Sequence, residues 1–299
     1  MRVALLGLGL IGGSIARALA ANGEDWRVSA WSPTREGPRR ALAEGVISAV
    51  AERPEAAIED AELTVLAAPP LANLALVRLV GPALVSRGTT LSDVSSAKGA
   101  IAAVAAEVPG LRFVGGHPMS GRETAGYGAS DARLFADRPW VVCPGPTADE
   151  VDVARVRALA VACGAQPIQL DPATHDAAVA AISHLPLLAS ATLASAAMAD
   201  ADWPLAASLA AQGWRDATRL ARGDARLGAG ILATNAPAVA ARLRHWREEL
   251  AAWQEELDLL AAVEQGEAPR ERAEVAAQEL TARLERIAEL LRASERARG

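Results

Sequence analysis

His117 lies in the run Gly115-Gly116-His117-Pro118-Met119-Ser120-Gly121. Residues 112–116 read as a short strand, which puts the imidazole at the strand's carboxyl end. A neutral imidazole there, with glycines clearing space around it, can take a proton as hydride leaves the same carbon. The plainer reading is a histidine closing a structural turn. Ser95 and Ser96 follow Asp93 at the end of a second expected strand, residues 89–94. Their hydroxyls suit a substrate hydroxyl or a cofactor amide, or the N-cap of the helix that opens there. Lys98, the only lysine, suits a substrate carboxylate or, structurally, Asp93.

Two further groups follow. Ile182-Ser183-His184-Leu185-Pro186 sets a polar pair into an apolar helical run. His184 is either a site residue or a buried, hydrogen-bonded core histidine. Arg215 and Arg219 lie four apart, on one face of an expected helix over 203–222. Two guanidinium groups aimed the same way make a carboxylate receptor. Paired with neighbouring acids, Arg215 would do nothing else.

These residues need a frame, and the first fourteen residues supply it. Residues 2–6 are an apolar run of strand length, and Gly7-Leu8-Gly9-Leu10-Ile11-Gly12 follows at once, ahead of a helical pattern. That is G-x-G-x-x-G between strand and helix, the context a dinucleotide requires. Gly7 permits the tight turn, Gly9 lets the backbone approach a pyrophosphate, and Gly12 lets helix and strand pack closely. Leu10 and Ile11 belong to the turn whose free N–H groups meet the anion. The second strand, residues 26–31, runs into Ser32-Pro33-Thr34-Arg35, with Arg39 and Arg40 one turn on. An NAD-preferring fold usually carries Asp or Glu here. Ser32, Thr34 and Arg35 instead suit a 2′-phosphate, so NADP is expected ahead of NAD. Ala67 and Ala68, at the end of strand 63–67, leave room for the cofactor over the sheet, and Ser95 is assigned to the same wall.

Strand and helix patterns alternate to about residue 170. They imply an α/β Rossmann-type, doubly wound, mostly parallel sheet. From Pro172 only helical patterns follow, over 173–200, 203–222, 225–233, 236–264 and 269–297. The expected organisation is an NAD(P)-binding domain over 1–170 and an all-helical substrate and dimerisation domain over 171–299. Trp246 and Trp253, seven apart, read as packing within that domain or across a homodimer. A net charge of −6 gives nucleic acid and anionic membranes no attraction, so an anionic substrate needs local arginines. Cys143 and Cys163 lack metal-ligand spacing and fit a reducing compartment. The first strand begins at Arg2, which leaves no leader, and residues 177–199 are interrupted by His184, Pro186 and serines. A cytoplasmic, metal-free enzyme with no membrane-spanning run is expected.

The glycine motif, Asp93-Val94-Ser95-Ser96-Ala97-Lys98-Gly99, Gly116-His117-Pro118-Met119-Ser120-Gly121, Ser183-His184-Leu185-Pro186 and Arg215-Asp216-Ala217-Thr218-Arg219 occur in this order. Together they resemble the prephenate and arogenate dehydrogenases of tyrosine biosynthesis, over nearly the whole chain to about residue 235. The resemblance implies oxidative decarboxylation of prephenate, a dianion, to 4-hydroxyphenylpyruvate and CO2, with hydride transfer to NAD(P)+. It implies that His117 accepts the proton of the ring hydroxyl, that Ser96 holds that hydroxyl, and that Arg219 binds a carboxylate. It places His184, Arg215 and Asp216 along the cleft and Glu123 beside it. Arg215 stands where Lys is common, Arg122 where a small hydroxyl residue often sits, and Gly228 where some relatives carry an aromatic residue. Those departures bear on the substrate's side chain, with arogenate the alternative. A 3-hydroxyacid or imino-acid type oxidoreductase shares the front half without the His117 loop. A cofactor-sensing protein that lost its activity is the non-enzymatic alternative.

Overall fold

The computed structural model describes residues 1–23, 25–122 and 124–296. Strands and helices alternate through β1 (Arg2–Leu6), α1 (Leu10–Asn22), β2 (Arg27–Trp31), α2 (Glu36–Ala43), β3 (Ala49–Val50), α3 (Pro54–Ala57), β4 (Leu63–Leu66), α4 (Pro70–Arg87), β5 (Thr90–Asp93), α5 (Gly99–Ala106), β6 (Phe113–Pro118), β7 (Pro139–Pro144), α6 (Glu150–Ala162) and β8 (Gln166–Gln169). The eight strands form one sheet in the order β3-β2-β1-β4-β5-β6-β7-β8. All neighbours are parallel except β6 and β7. Continuous apolar runs are what a parallel sheet covered on both faces demands, and β4 and β5 are buried throughout. One core layer gathers around Ile15, Leu19, Phe135 and Trp140, the other around Leu76, Val77, Leu84 and Ile101. The two-residue β3 is too short to carry a readable alternation.

The sheet reverses its winding between β1 and β4, and ligands of such sheets bind at that switch, beyond the carboxyl ends. Gly7, Ala67, Ser95 and His117 all fall at the ends of successive strands β1, β4, β5 and β6, on one edge.

After β8 the described residues form helices and no strand: α7 (Pro172–Val179), a π-helical turn (Ala180–His184), α8 (Leu185–Met198), α9 (Trp203–Leu209), α10 (Gln212–Ala217), a 3₁₀ turn (Leu220–Arg222), α11 (Ala225–Thr234), α12 (Ala236–Glu264) and α13 (Arg270–Arg296). The expected single helix over 203–222 is broken. Ala210 is extended, at φ −65° and ψ 116°, so the chain turns and brings Trp203 and Trp214 to 5.4 Å between ring centroids. Arg219 lies beyond the end of α10. Arg215 and Arg219 therefore do not share one helix face, contrary to the expectation from their spacing. The expectation about apolar length is corrected too. The continuous helical run Pro172–Met198 spans 27 residues and holds an 18-residue window of mean hydropathy 1.6, enough by length and composition to cross a membrane. Its alanines and leucines outweigh His184, Pro186 and the serines in that average.

The chain divides into two compact units, Met1–Val239 and Ala240–Gly299. The expected boundary at 170/171 marks where strands end. Compactness runs on to Val239 because α7 packs on α5, and α11 on α4 and α5. Within the second unit the Arg283 guanidinium lies 5.2 Å from the centre of the Trp253 ring, while Leu250 and Leu257 are exposed.

One ion pair sits inside the α/β layer. Lys98 Nζ donates to Asp93 Oδ2 and, at 2.7 Å, to the carbonyl of Gly116, and both side chains are sealed from solvent. Asp93 also accepts from the backbone N–H of Ser95 and of Gly116, at 2.8 and 3.2 Å. The pair thus clamps the ends of β5 and β6 together. Of the two expected roles for Lys98, the structural one is the one realised. Removing one member of such a pair leaves a buried charge unmet, so Lys98→Met should cost about 3–5 kcal/mol of unfolding free energy. Adding Asp93→Asn should recover part of that loss. Denaturant unfolding of the two variants measures both; a single variant as stable as the parent would mean the clamp is not needed.

Candidate active site

A cleft of ≈ 620 Å³ opens at the switch point, lined by Gly7, Gly9, Ser32, Thr34, Ala67 and Ala68 among others. The glycine positions fit a bound dinucleotide. Gly7 has φ +110°, and a Cβ there would meet Ala67 and Ala68 backbone atoms at 2.5–2.6 Å. A Cβ on Gly12 would stand 2.1 Å from the Gly7 carbonyl oxygen, so the turn and the start of α1 are in contact. Nothing lies within 4 Å of a Cβ on Gly9, which leaves that backbone open to the cleft. Leu10 and Ile11 form the first turn of α1 and are half-buried. Ser32 is buried and its hydroxyl accepts from the Leu8 N–H at 2.7 Å, fixing the exit of β2 over the glycine turn.

The adenosine side of the cleft is less simple than its sequence. Arg35 is ion-paired with Glu52. The guanidinium that lines the cleft belongs to Arg40, which pairs with Glu44 at 2.8 Å and lies against the Tyr127 ring. Glu36 lines the same wall. Ser95 is buried, and its hydroxyl accepts from Asn73 at 2.9 Å. Asn73 in turn accepts from the Ala68 N–H, tying the ends of β4 and β5.

Neither Ser95 nor Ser96 caps α5. The Asp176 carboxylate does so from α7, accepting the backbone N–H groups of Lys98 and Gly99 at 2.7 Å each. Ser96 is half-buried, and its side chain hydrogen-bonds to none of the described residues. A carboxylate at a helix N-terminus meets both unpaired donors and the positive end of the helix dipole. These bonds, with that from His175, hold the Asp176 carboxyl below its ordinary range, against the opposing effect of burial.

His117 ends β6 beside this junction. Its ring keeps some exposure but is otherwise surrounded by protein. Nδ1 lies 2.8 Å from His175 Nε2, and His175 Nδ1 lies 2.8 Å from Asp176 Oδ1. Burial, and after it the nearby Lys98 charge, push the His117 imidazole well below its usual range, so it is neutral near pH 7. His184, at the close of the π-helical turn, is buried against Asn235. The Asn235 amide nitrogen donates to the Asp176 carbonyl at 2.9 Å and meets His184 Nδ1 at 3.1 Å. A carbonyl only accepts, so the amide group there is the NH2 and His184 Nδ1 accepts from it. The His184 proton is then on Nε2, a buried donor that none of the described residues satisfies. Burial lowers the His184 imidazole to about 4, so this donor is neutral.

The structure thus joins Asp93, Lys98, His117, His184 and the Ser95-Ser96 turn through one set of contacts. His175, Asp176 and Asn235 complete it and were not singled out in the sequence. Their signal was faint: a His-Asp pair inside an apolar helix, the same mark that drew attention to His184. Arg219 immediately precedes the 3₁₀ turn that is tied to α8 by the Ala221 N–H and Ser190 Oγ, at 3.1 Å. Arg215 and Asp216 are exposed on α10, where Asp216 accepts from Gln212. Glu123 lies outside the described residues.

Two family models match in tandem. One is described as the prephenate dehydrogenase nucleotide-binding domain, over residues 15–169, and the other as the prephenate dehydrogenase dimerization domain, over 171–269. The prephenate dehydrogenase of Bacillus subtilis is 30% identical over 251 residues, covering 83% of this chain and 68% of that protein. The arogenate dehydrogenase of Synechocystis superposes with a TM-score of 0.70 at 27% identity, over 95% of this chain and 99% of that one. Prephenate dehydrogenase from A. aeolicus, solved with hydroxyphenyl propionate and NAD+, gives 0.80 over 95% and 98%; at 24% identity that likeness shows the fold. The tandem domains, the relatives and the architecture agree that this chain belongs to the prephenate dehydrogenase family, nicotinamide-dependent oxidoreductases whose oxidative decarboxylation serves tyrosine biosynthesis.

Proposed function

We propose that the chain is a homodimeric prephenate dehydrogenase that uses NADP in preference to NAD, with His117 as the general base. The observation that carries the reading is a neutral, half-buried imidazole at the sheet edge that also holds the glycine cleft. When bound, the nicotinamide supplies the hydride acceptor. His117 takes the proton of the ring hydroxyl as hydrogen leaves the hydroxyl-bearing carbon with both electrons, so positive charge does not build up on that carbon. The O–H electron pair becomes C=O. Loss of the ring carboxylate as CO2 then restores aromaticity, and the proton returns to the oxygen. Ser96, half-buried with its hydroxyl unengaged by the described residues, holds the substrate hydroxyl, and Ser95 sets the floor beside it through Asn73.

The substrate is a dianion and the protein is acidic overall, so Arg219 supplies a local positive charge for a carboxylate. By the family resemblance, Arg215, Asp216 and Glu123 belong to the same substrate-binding set. The His184 Nε2–H favours prephenate over arogenate. A neutral donor pairs with the keto oxygen of a pyruvyl side chain and offers nothing to the ammonium group that arogenate carries in its place. For the cofactor, β2 ends without a carboxylate, and Ser32, Thr34 and Arg40 line the wall where a 2′-phosphate would lie. Arg35 would add to that charge on leaving Glu52. The exposed Ile182, Leu193, Met198, Leu205 and Leu209 on the helical part give the dimer its surface. The two-domain division at 170/171 follows the same logic, with cofactor held by the α/β part and the dimer made by the helices. Burial raises the thiols of Cys143 and Cys163 to about 12, so both stay protonated and unreactive; the compartment in this reading is the cytoplasm.

The test is formation of reduced nicotinamide, followed by absorbance, with prephenate or arogenate and with either cofactor. The expected ranking is prephenate over arogenate and NADP over NAD in kcat/KM. Turnover of neither ring substrate would overturn the enzymatic reading. In the same assay His117→Asn should keep cofactor affinity and lose about 10²–10⁴ in kcat; a near-normal kcat removes His117 from the role. Arg219→Ala should raise the substrate KM by about 10- to 100-fold through lost charge-assisted bonds. An unchanged KM would place Arg219 outside the substrate site.

A further inference from the structure

We propose that His175 is the positioning residue that fixes which nitrogen of His117 is the base and, through Asp176, offsets the charge that His117 acquires. The inference rests on the reading of His117 as the base. It starts from the acceptor at the far end. Asp176 Oδ1 is a carboxylate oxygen and can only accept, so His175 Nδ1, 2.8 Å away, carries a proton. In a neutral ring this leaves a lone pair on His175 Nε2. That lone pair faces His117 Nδ1 at 2.8 Å, so His117 must donate there. The His117 proton is therefore on Nδ1, and Nε2 holds the free pair a base needs. The rings are nearly perpendicular, at 80° with centroids 5.1 Å apart, so the contact is an edge-on hydrogen bond and not a stack.

The fixed charges around the two rings are already paired. The charged and titratable groups facing the two rings are Lys98, Asp93, Asp176 and His184. Asp93 is neutralised by Lys98, and Asp176 is already engaged by two backbone N–H groups. His175 is sealed from solvent, and so is most of Asp176, so water does not compete for these bonds. When His117 Nε2 takes the hydroxyl proton, the new positive charge lies two hydrogen bonds from the Asp176 carboxylate. The proton goes back to the substrate oxygen at the end of the step, and nothing else is consumed. Without His175, the His117 ring is free to carry its proton on Nε2, a form that cannot accept.

The test uses the full chain with its cofactor bound. Nitrogen NMR of the four imidazoles in the labelled protein should show His117 as the Nδ1–H form; an Nε2–H form in the parent protein overturns the proposal without any variant. His175→Leu should lower kcat by about 10- to 100-fold, the usual effect of losing an outer partner, and leave both KM values unchanged. His175→Gln, whose amide oxygen can accept from His117, should recover part of the loss. A general packing defect would move KM or stability and would not be rescued by Gln. If His175→Leu keeps its kcat while His117→Asn loses it, this inference alone fails. If both keep it, the assignment of His117 itself falls.

Discussion

An ammonium group sealed from water holds the working edge of this sheet together. Lys98 reaches Asp93 at the end of β5 and the Gly116 carbonyl one residue before His117. A buried charge pair is a weak source of stability, because both ions lose their hydration. Its value here is geometric: it leaves one low-energy arrangement of two neighbouring strand ends. It also has an electrostatic effect. A fixed cation beside an imidazole disfavours protonation, so the charge that positions His117 also keeps it basic in form.

The helical layer is bound to that edge by equally local chemistry. Asp176 caps α5, accepts from His175, and through its backbone carbonyl holds the Asn235 amide. Asn235 in turn sets the ring of His184. Four elements, β6, α5, α7 and α11 with its end at Asn235, thereby meet around one residue, Asp176. Two histidines emerge with opposite tautomers from this junction. One offers a lone pair and the other a proton, which is the division of labour expected when a hydroxyl must lose a proton and an anionic side chain must be held.

Strands such as β1 and β4 were readable because parallel strands covered on both faces are largely apolar, and the glycine turn because only glycine tolerates the φ of residue 7 and the contact of residue 12. His117 and Ser96 were readable from their places at strand ends. The capping of α5 was not, since a helix N-terminus can be met by a side chain 78 residues away as well as by the serines beside it. His175 and Asn235 escaped for the same reason: their meaning lies in partners that only the fold brings near. The break between α9 and α10 was hidden as well, because Ala-rich sequence favours helix on both sides of it and the contact of Trp203 with Trp214 across the turn exists only in the fold. Arg35 shows the converse, a residue legible as an anion ligand that the fold pairs with Glu52.

All of this converges on one geometric statement, that a basic nitrogen of His117 faces the carbon from which hydrogen departs. A crystal structure of the chain with oxidised cofactor and the hydroxyphenyl product tests it most directly. The account predicts His117 Nε2 within hydrogen-bonding distance of the ring hydroxyl, about 2.6–3.2 Å, with the nicotinamide against the same ring carbon and Nδ1 still turned to His175. An imidazole separated from both ligands by packed protein, or one presenting its N–H to the hydroxyl, would contradict it.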